Sequence, residues 1–423
     1  MVDMILRGGL VMGPSGQKEK DVAIEDGIVT AVADRLDGED VIDCTGSWIG
    51  PGFVDLHAHF REPGQTWKED IESGSAAAAV GGYTAVVTMP NTDPPIDDGH
   101  LARYVVDRGR EVGLVEVVAA GCVSLGRAGE RLAHFDDLWS AGTRIFTDDG
   151  DTVADAGLLR RALEYLGPRG GIVAQHAVEP GLAAEGHMHE GVVSSRLGMD
   201  AIPSEAETVV IARDLSLVRL TGARYHVQHL STEPGVELIA AAKEEGLQVT
   251  AEVTPHHLMF DDRVVGDTNP IFKMMPPLRS PNDAVALRDG LRSGVIDAVA
   301  TDHAPHSEHE KDVPFEEAPF GVIGLEWAAA VVNDTVGLDP RDFYDRMAVT
   351  PARIAGIRGQ GQWIEAGAPA NITVFDPNRT WTPVGTASRS TNSPYLGREL
   401  TGAVDMTIFR GEQTYAAAVG AGL

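Results

Sequence analysis

The chain has 423 residues, of which 43% are hydrophobic and 23% charged, an ordinary composition for a globular protein with a sizeable core. Its formal net charge of −29 argues against nucleic acids and anionic membranes as partners. No apolar run reaches the roughly 20 residues needed to span a bilayer, and the first ten residues lack the pattern of a signal peptide. The sequence therefore favours a cytoplasmic protein.

The chain contains few lysines and two cysteines. Lysine is scarce, occurring only as Lys18, Lys20, Lys68, Lys243, Lys273 and Lys311, so most cations are arginine. An acidic, lysine-poor surface is typical of a salt-adapted host, but a GC-rich genome also favours arginine, and both explanations stay open. The two cysteines, Cys44 and Cys122, form no CxxC pair, which indicates two buried thiols and neither a disulfide framework nor a thiolate metal site.

In chain order, residues 1–50 carry short β-type runs such as MILRGG, DVAIEDG and IVTAVAD, separated by Gly and Asp. From about residue 51, strand-like runs alternate with longer helix-like segments. The runs are FVDLHAH (53–59), TAVVTMP (84–90), VEVVAAG (115–121), TRIFTDD (143–149), GIVAQH (171–176), RYHVQHL (224–230), QVTAEVTPHH (248–257) and IDAVATDH (296–303). After about residue 358 the pattern is β-like again, as in ANITVFDP.

Eight β units that alternate with α units predict an α/β protein with a TIM-like (β/α)₈ barrel over residues 51–358. The flanking segments, 1–50 and 359–423, are predicted to pair into a small β-sandwich domain beside the barrel.

Polar side chains occur at the ends of nearly all of these runs. In a barrel, chemistry takes place at the carboxyl ends of the strands. The residues there are His57, His59, Asn91, Asp148, Asp149, His176, His229, His256, His257, Asp302, His303 and His306. A single such histidine is more often a core residue, but so many on one face indicate a site for a small-molecule substrate.

Part of this set predicts a metal site. His57 and His59 are two residues apart on one strand, so their side chains point the same way. Imidazole and carboxylate groups suit Zn²⁺. The predicted ligands are His57, His59, Asp149, His176, His229 and Asp302, which could hold one or two zinc ions, with two favoured.

The positions of the lysines restrict the group that could bridge two metals. A carbamylated lysine is one group that can bridge two metals. Between Lys68 and Lys243 the chain has no lysine, so the second to fifth strands cannot supply this bridge. A bridging group would have to be a carboxylate, and Asp149 is the candidate. Its neighbour Asp148 points to the opposite face, and the sequence leaves open which of the two faces inward.

Several segments together resemble the class I dihydroorotases of the amidohydrolase superfamily. The most specific is PGFVDLHAHFREPG (51–64), with its His-x-His followed by Phe-Arg-Glu-Pro-Gly. The resemblance continues, in one order, through GGYTAVVTMPNT (81–92), FTDDG (146–150), HVQHLST (226–232), VTAEVTPHH (249–257), ATDHAPH (300–306) and APFGVIGLE (318–326). It covers essentially the whole chain and implies a zinc-dependent hydrolase that opens dihydroorotate reversibly to N-carbamoyl-aspartate in pyrimidine biosynthesis.

The resemblance also implies roles for individual residues. His57 and His59 match the first two metal ligands, and Asp149 matches the bridging carboxylate. His176 and His229 match the ligands of the second metal, whereas Asp302 matches the metal-bound, proton-shuttling aspartate. The residues that match substrate contacts are Arg61, Asn91, His306, Phe320 and Gly321.

One substrate position departs from the family pattern. The family usually reads Lys-Met-Asn-Pro-Pro-Leu-Arg, but this chain has Met275 in place of the asparagine. A thioether cannot make the paired donor and acceptor contacts of an amide. Either another group compensates or the substrate preference differs.

Two alternatives remain open. Hydantoinases and allantoinases share the barrel and the metals, but they usually carry the modified lysine and their substrates lack the same carboxylate. A non-catalytic, dihydroorotase-like scaffold, for instance one associated with aspartate transcarbamoylase, would typically have lost ligands. The sequence does not fix metal identity or occupancy, and a homodimer is a common arrangement for soluble enzymes.

Overall fold

A computed structural model describes residues 4–417 of the chain. The strands are β1 (Met4–Gly13), β2 (Gly16–Glu25), β3 (Ile28–Ala33), β4 (Val41–Asp43), β5 (Trp48–Pro51), β6 (Phe53–Ala58), β7 (Tyr83–Thr88), β8 (Glu116–Ala119), β9 (Ile145–Phe146), β10 (Ile172–Gln175), β11 (Met188–His189), β12 (Ala201–Ile202), β13 (Arg224–Val227), β14 (Val249–Val253), β15 (Ala298–Val299), β16 (Ile372–Trp381), β17 (Leu400–Phe409) and β18 (Glu412–Ala416).

The α-helices are α1 (Ile71–Val80), α2 (Gly99–Val112), α3 (Phe135–Ser140), α4 (Ala156–Leu166), α5 (Pro180–Ala183), α6 (Val192–Leu197), α7 (Glu205–Thr221), α8 (Glu233–Glu244), α9 (Pro255–Met259), α10 (Pro281–Ser293), α11 (Glu308–Lys311), α12 (Ala328–Thr335), α13 (Pro340–Tyr344) and α14 (Thr350–Ala355). A π-helical segment, Asp345–Val349, connects α13 to α14. Short 3₁₀ segments are Leu125–Arg127, Gly167–Arg169, Asp262–Asp267, Pro270–Phe272 and Leu325–Trp327.

The two terminal segments share one sheet. Its strands follow the order β18-β17-β16-β5-β1-β2-β3, and β4 pairs with β1. The junction is the antiparallel pairing of β16 with β5, where Thr373 lies opposite Gly50. One face of this sheet buries a cluster of aliphatic residues that includes Val22, Ile49 and Ile408. Burial of this apolar surface holds the two described terminal segments together.

Besides the two-stranded parallel sheet β11-β12, the described middle of the chain contains two larger parallel sheets, β6-β7-β8 and β15-β14-β13-β10-β9. Isolated parallel bridges connect their ends, between Gly121 and Phe146 and between Ala58 and His303. Helices separate most successive strands along the chain. The α/β class predicted from the alternating pattern is confirmed.

Burial explains why these central strands read as continuous apolar runs. Every residue of β6 and β7 is buried, as expected for parallel strands covered on both faces. The helices around them begin at capping side chains: Asp70 accepts a hydrogen bond from the Ser73 amide at the start of α1, and Ser280 forms a capping box with Asp283 in α10. Because these strands are buried on both faces, polar side chains beside them need hydrogen-bond or ionic partners.

Among residues 4–417, no helix is both long enough and apolar enough to cross a bilayer.

Candidate active site

The six predicted metal ligands come together at the carboxyl ends of the central strands. His57 lies in β6 and His59 directly after it, while the other four follow β9, β10, β13 and β15. Their side chains are all buried. The local cause is the same in each case, since a parallel strand delivers the residue that follows it to a common edge of the sheet.

Asp149 is the centre of this cluster. Its Oδ1 lies 3.3 Å from His57 Nε2, 3.6 Å from His176 Nδ1 and 3.7 Å from His229 Nε2. Its Oδ2 lies 3.5 Å from His59 Nε2. One carboxylate thus faces four imidazoles, with its two oxygens directed to different histidines.

Asp302 approaches the same imidazoles from the end of β15. Its Oδ1 lies 2.9 Å from His59 Nε2 and 3.6 Å from His57 Nε2. Burial alone would raise the pKa of Asp302, but the hydrogen bond from His59 and the charge of His57 hold this pKa well below its ordinary value. Asp302 is therefore a carboxylate at neutral pH.

The cluster fits metal ions. Ligand atoms of His57, Asp149 and His229 lie within 4.8 Å of one another, and so do those of His57, His59 and Asp302. His57 Nε2 and Asp149 Oδ1 are buried without a hydrogen-bond partner, which is costly unless a cation satisfies them. Although burial would raise the pKa of Asp149, the surrounding His57, His176 and His229 hold it well below its ordinary value. Nitrogen and oxygen donors in this arrangement suit divalent zinc.

Asp148 has a different task from its neighbour. Its carboxylate accepts hydrogen bonds from the Val123 amide (2.8 Å), the Ser124 amide (2.9 Å) and Ser124 Oγ (2.5 Å). It is directed at the loop after β8 and not at the imidazoles. Of the two aspartates that the sequence left open, Asp149 faces the cluster.

Glu252, in β14, supports the cluster and was missed in the sequence. Its Oε1 lies 2.8 Å from His57 Nδ1, and its Oε2 lies 2.9 Å from His226 Nε2. His226 is anchored in turn by Thr250 Oγ1, 2.7 Å from its Nδ1. Burial opposes the charge, but the hydrogen bonds from His226 and His57 lower the pKa of Glu252 to about 2. An acidic residue inside the apolar run VTAEV was the signal that could have identified it.

The backbone at the site is unusual at three residues. Arg61, His229 and Asp302 have positive φ angles of 55°, 33° and 45°. Non-glycine residues rarely adopt this region, and each such residue costs about 1–3 kcal/mol. Strain of this kind concentrates at functional sites, where it aims a side chain that an extended backbone would direct elsewhere.

A cavity of about 360 Å³ opens onto the cluster, within the size range of small-molecule sites. Its lining includes every predicted substrate contact, namely Arg61, Asn91, Met275, His306, Phe320 and Gly321. It also includes His59, Asp149, His176, His229 and Asp302, whereas His57 is fully buried. The structure thus brings the predicted substrate residues and the predicted metal ligands to one place.

Arg61 supplies positive charge to this cavity. Its Nε donates a hydrogen bond to the Pro305 carbonyl at 3.3 Å. Burial lowers the pKa of Arg61 to about 10, so the guanidinium stays charged at neutral pH. A guanidinium can bind a carboxylate through two parallel hydrogen bonds, which suits an anionic ligand.

His306 and Asn91 add neutral polar groups. His306 Nε2 lies 2.9 Å from the Phe320 carbonyl; because a carbonyl can only accept, Nε2 carries the proton and Nδ1 is an acceptor. Burial and the charge of Arg61 lower the pKa of His306 to about 2, so its ring is neutral. Asn91 Oδ1 lies 2.8 Å from His59 Nδ1 and links the cavity wall to a predicted ligand.

Met275 makes one wall apolar. It lines the cavity and packs against an apolar cluster formed by Val178, Ala183, Ile202 and Ala206. The side chain is therefore part of a small core that supports the wall, and it brings no donor or acceptor of an amide to the cavity.

The fold is that of several hydantoinases of known structure. Solved structures with the same fold include an L-hydantoinase (dihydropyrimidinase) from Arthrobacter aurescens, with a TM-score of 0.87 and 24% identity over 98% of this chain and 96% of that one. A dihydropyrimidinase from Brevibacillus agri has a TM-score of 0.81 and 22% identity over 97% of this chain and 94% of that one.

Comparison with proteins of known sequence identifies the family. A family model described as dihydro-orotase-like matches residues 46–234. The dihydroorotase of Mycobacterium bovis is 45% identical over 425 residues, which cover 98% of each chain. That of Streptomyces coelicolor is 44% identical over 424 residues, again 98% of each chain. The chain belongs to the dihydroorotase family.

Proposed function

We propose that this enzyme catalyses the dihydroorotase reaction, the reversible hydrolysis of (S)-dihydroorotate to N-carbamoyl-L-aspartate in pyrimidine biosynthesis. The observation that carries the proposal is the charged Arg61 in the same cavity as the buried His and Asp cluster. This substrate has a carboxylate, which Arg61 would bind, and a ring amide, which would be hydrolysed at the cluster. Relatives named dihydroorotase, at 45% identity over nearly the whole chain, support the same activity.

For the architecture, we propose that the central strands form a closed (β/α)₈ barrel over residues 51–358. The two isolated bridges that connect the ends of the parallel sheets support closure. We propose that residues 1–50 and 359–423, of which 1–3 and 418–423 lie outside the described residues, form the predicted second, β-sandwich domain. The pairing of β5 with β16 in one sheet supports the association of the two segments.

The proposed cofactor is zinc, with two ions per chain. His57, His59, Asp149 and Asp302 would hold one ion, and His176 and His229 would hold the other together with a shared Asp149. The position of Asp149 among four imidazoles supports the shared role. Zinc, when bound, acts as a Lewis acid that lowers the pKa of water and polarises a carbonyl.

The chain's own residues bind and orient the ring. The guanidinium of Arg61 binds the substrate carboxylate, and Asn91 contacts the ring beside it. His306 Nδ1 accepts a hydrogen bond from an N–H of the substrate ring. The segment Phe320–Gly321 contacts the substrate through its backbone. Together these groups hold the scissile amide carbonyl towards the cluster, so that attack requires little further ordering.

Asp302 moves the proton in the proposed reaction. In hydrolysis its carboxylate takes a proton from the attacking water, and it then gives this proton to the ring nitrogen as the C–N bond breaks. In ring closure the same group removes a proton from the attacking nitrogen and protonates the departing oxygen. Its ionised state and its position next to His59 support this role.

The experiment is an assay of the zinc-loaded enzyme with dihydroorotate, in both directions, beside hydantoin and allantoin. We expect dihydroorotate to be the preferred substrate, and Asp302→Asn to lower kcat by at least about 10²–10⁴-fold while the fold is retained. Asp148→Asn is the matched control, because its carboxylate is buried nearby but faces away from the cluster. Faster turnover of hydantoin or allantoin would favour those activities, and no turnover of any substrate would favour a scaffold.

Symmetric dimers are common among soluble enzymes. We propose a cytoplasmic homodimer, with association with aspartate transcarbamoylase as a further prediction.

A further inference from the structure

Lys311 is a buried lysine next to the cavity. It is the last residue of α11, the short helix that follows His306, and only 7% of it is exposed. Its Nζ donates hydrogen bonds to the carbonyls of Pro270 (3.1 Å), Lys273 (3.2 Å) and Pro319 (2.7 Å). Burial lowers the pKa of Lys311 to about 7. In its protonated form the side chain has three N–H donors and no acceptor, so these three carbonyls match its bonding capacity.

The three carbonyls belong to the two segments that form one side of the cavity. Pro270 and Lys273 precede Met275 in the chain, and Pro319 precedes Phe320 and Gly321. The segments are also joined directly, because the Gly321 amide donates to the Lys273 carbonyl at 2.9 Å. Lys311 therefore holds together the apolar wall and the backbone proposed to contact the substrate.

A second buried lysine holds the same region through its side chain. Lys273, 2% exposed, donates from Nζ to the Glu316 carbonyl at 2.8 Å. The same atom lies 4.7 Å from the ring centroid of Phe320 and 5.5 Å from that of Phe315. These are cation–π distances, so the Lys273 side chain restrains the ring of Phe320. The carbonyl of Lys273 is in turn bound by Lys311.

Side-chain chemistry explains why a lysine suits position 311 in a chain that contains few lysines. The planar guanidinium directs its donors in a rigid fork, whereas the compact ammonium rotates its three donors freely. Carbonyls that converge on a single atom, as around Lys311, suit an ammonium better than a guanidinium. Two of the six lysines of the chain are thus buried around residues 314–321.

We propose that Lys311 and Lys273 are positioning residues that fix the Phe320–Gly321 backbone and the Met275 wall, and so set the affinity for substrate. Both lysines lie outside the lining of the cavity, so they would act through the residues they hold. This inference rests on the proposed function, because substrate affinity is measured with dihydroorotate.

The test is Lys311→Met, which keeps the apolar stem and removes the three donors. We expect the KM for dihydroorotate to rise about tenfold while kcat changes by less than about twofold, since the substrate contacts are displaced but the cluster is not. Hydrogen exchange of the amides in residues 314–323 should become faster. Zinc affinity should be unchanged.

Lys243→Met is the matched control. Lys243 Nζ also donates to two carbonyls, those of Gly294 (3.3 Å) and Val295 (2.7 Å), and it pairs with Asp297 at 2.7 Å. These contacts lie before β15, at the opposite end of the strand from Asp302. We expect this variant to lose stability with the KM unchanged and with faster exchange only near residues 294–297.

Lys273→Met is a second variant in case Lys311→Met does not fold. It removes the contact with the Phe320 ring, and we expect the KM to rise about threefold, with faster exchange over residues 314–323. A folded variant with wild-type KM and wild-type exchange in this segment overturns the proposal, as does the same change of KM in Lys243→Met. Absence of dihydroorotate turnover in the wild type would instead refute the proposed function. The hydrogen-exchange measurement can still be made in that case, because it needs no substrate.

Discussion

Replacement of Glu252 by glutamine tests how the buried cluster is prepared for metal. The carboxylate accepts from His57 Nδ1 at 2.8 Å and from His226 Nε2 at 2.9 Å. When a metal replaces the proton on Nε2, a proton on His57 Nδ1 lets Nε2 act as the ligand, and this Nε2 is the buried atom without a hydrogen-bond partner. Glu252 therefore selects the ring form of His57 that can bind zinc.

Glutamine keeps the volume but changes one of the two oxygens into an NH₂ donor. One histidine N–H would then face another donor, or His57 would move its proton to Nε2 and lose its ligand atom. Loss of such a supporting partner lowers metal affinity by about 10–100-fold. Because each factor of ten corresponds to about 1.4 kcal/mol, we expect zinc binding to weaken by about 1.4–2.8 kcal/mol.

The assay is a competition for zinc between the apo-enzyme and a chelator of known affinity, followed by kcat at saturating zinc. We expect a weaker affinity with a kcat near that of the wild type. Glu207→Gln is the control, because this buried carboxylate accepts from the Ser231 amide and from Ser231 Oγ but not from an imidazole. Wild-type zinc affinity in Glu252→Gln, or an equal loss in Glu207→Gln, would refute the reasoning.

Three further changes test the cavity and the cluster. Arg61→Met should raise the KM for dihydroorotate about 10–100-fold, since hydrogen bonds to charged groups contribute about 1.5–3 kcal/mol; an unchanged KM would contradict the role of Arg61. Met275→Asn should raise kcat/KM about two- to tenfold, because an amide adds neutral hydrogen bonds of about 0.5–1.5 kcal/mol, whereas a fall would show that the apolar wall is needed. Asp148→Asn should lower the free energy of unfolding by about 1–3 kcal/mol with zinc content intact, while Asp149→Asn should lose zinc; zinc analysis and denaturant unfolding distinguish the two.

Several features of the site were open to prediction because they depend on local geometry. Alternation along a strand places His57 and His59 on one side, and parallel strands deliver the residues after them to a shared edge. The absence of lysine between Lys68 and Lys243 is a property of the sequence alone, and it restricted a bridging group to a carboxylate. The departure at Met275 was equally visible before any fold was known.

Other features depend on contacts between distant residues, which no local pattern encodes. Glu252 lies 195 residues from His57 and becomes its partner only when β14 packs near β6. Lys311 lies among charged residues in the sequence, in EHEKD (308–312), yet three carbonyls from two other segments surround it.

By itself, then, the sequence determined which side chains end each strand and which chemistry they can supply, because the periods of strands and helices are local. The tertiary structure alone decided which of them share a cavity, and that Asp149 and not Asp148 faces the imidazoles. It also decided which buried groups hold the ligands and the substrate segments in place. The physical reason is that a buried polar group must find its partners wherever packing places them.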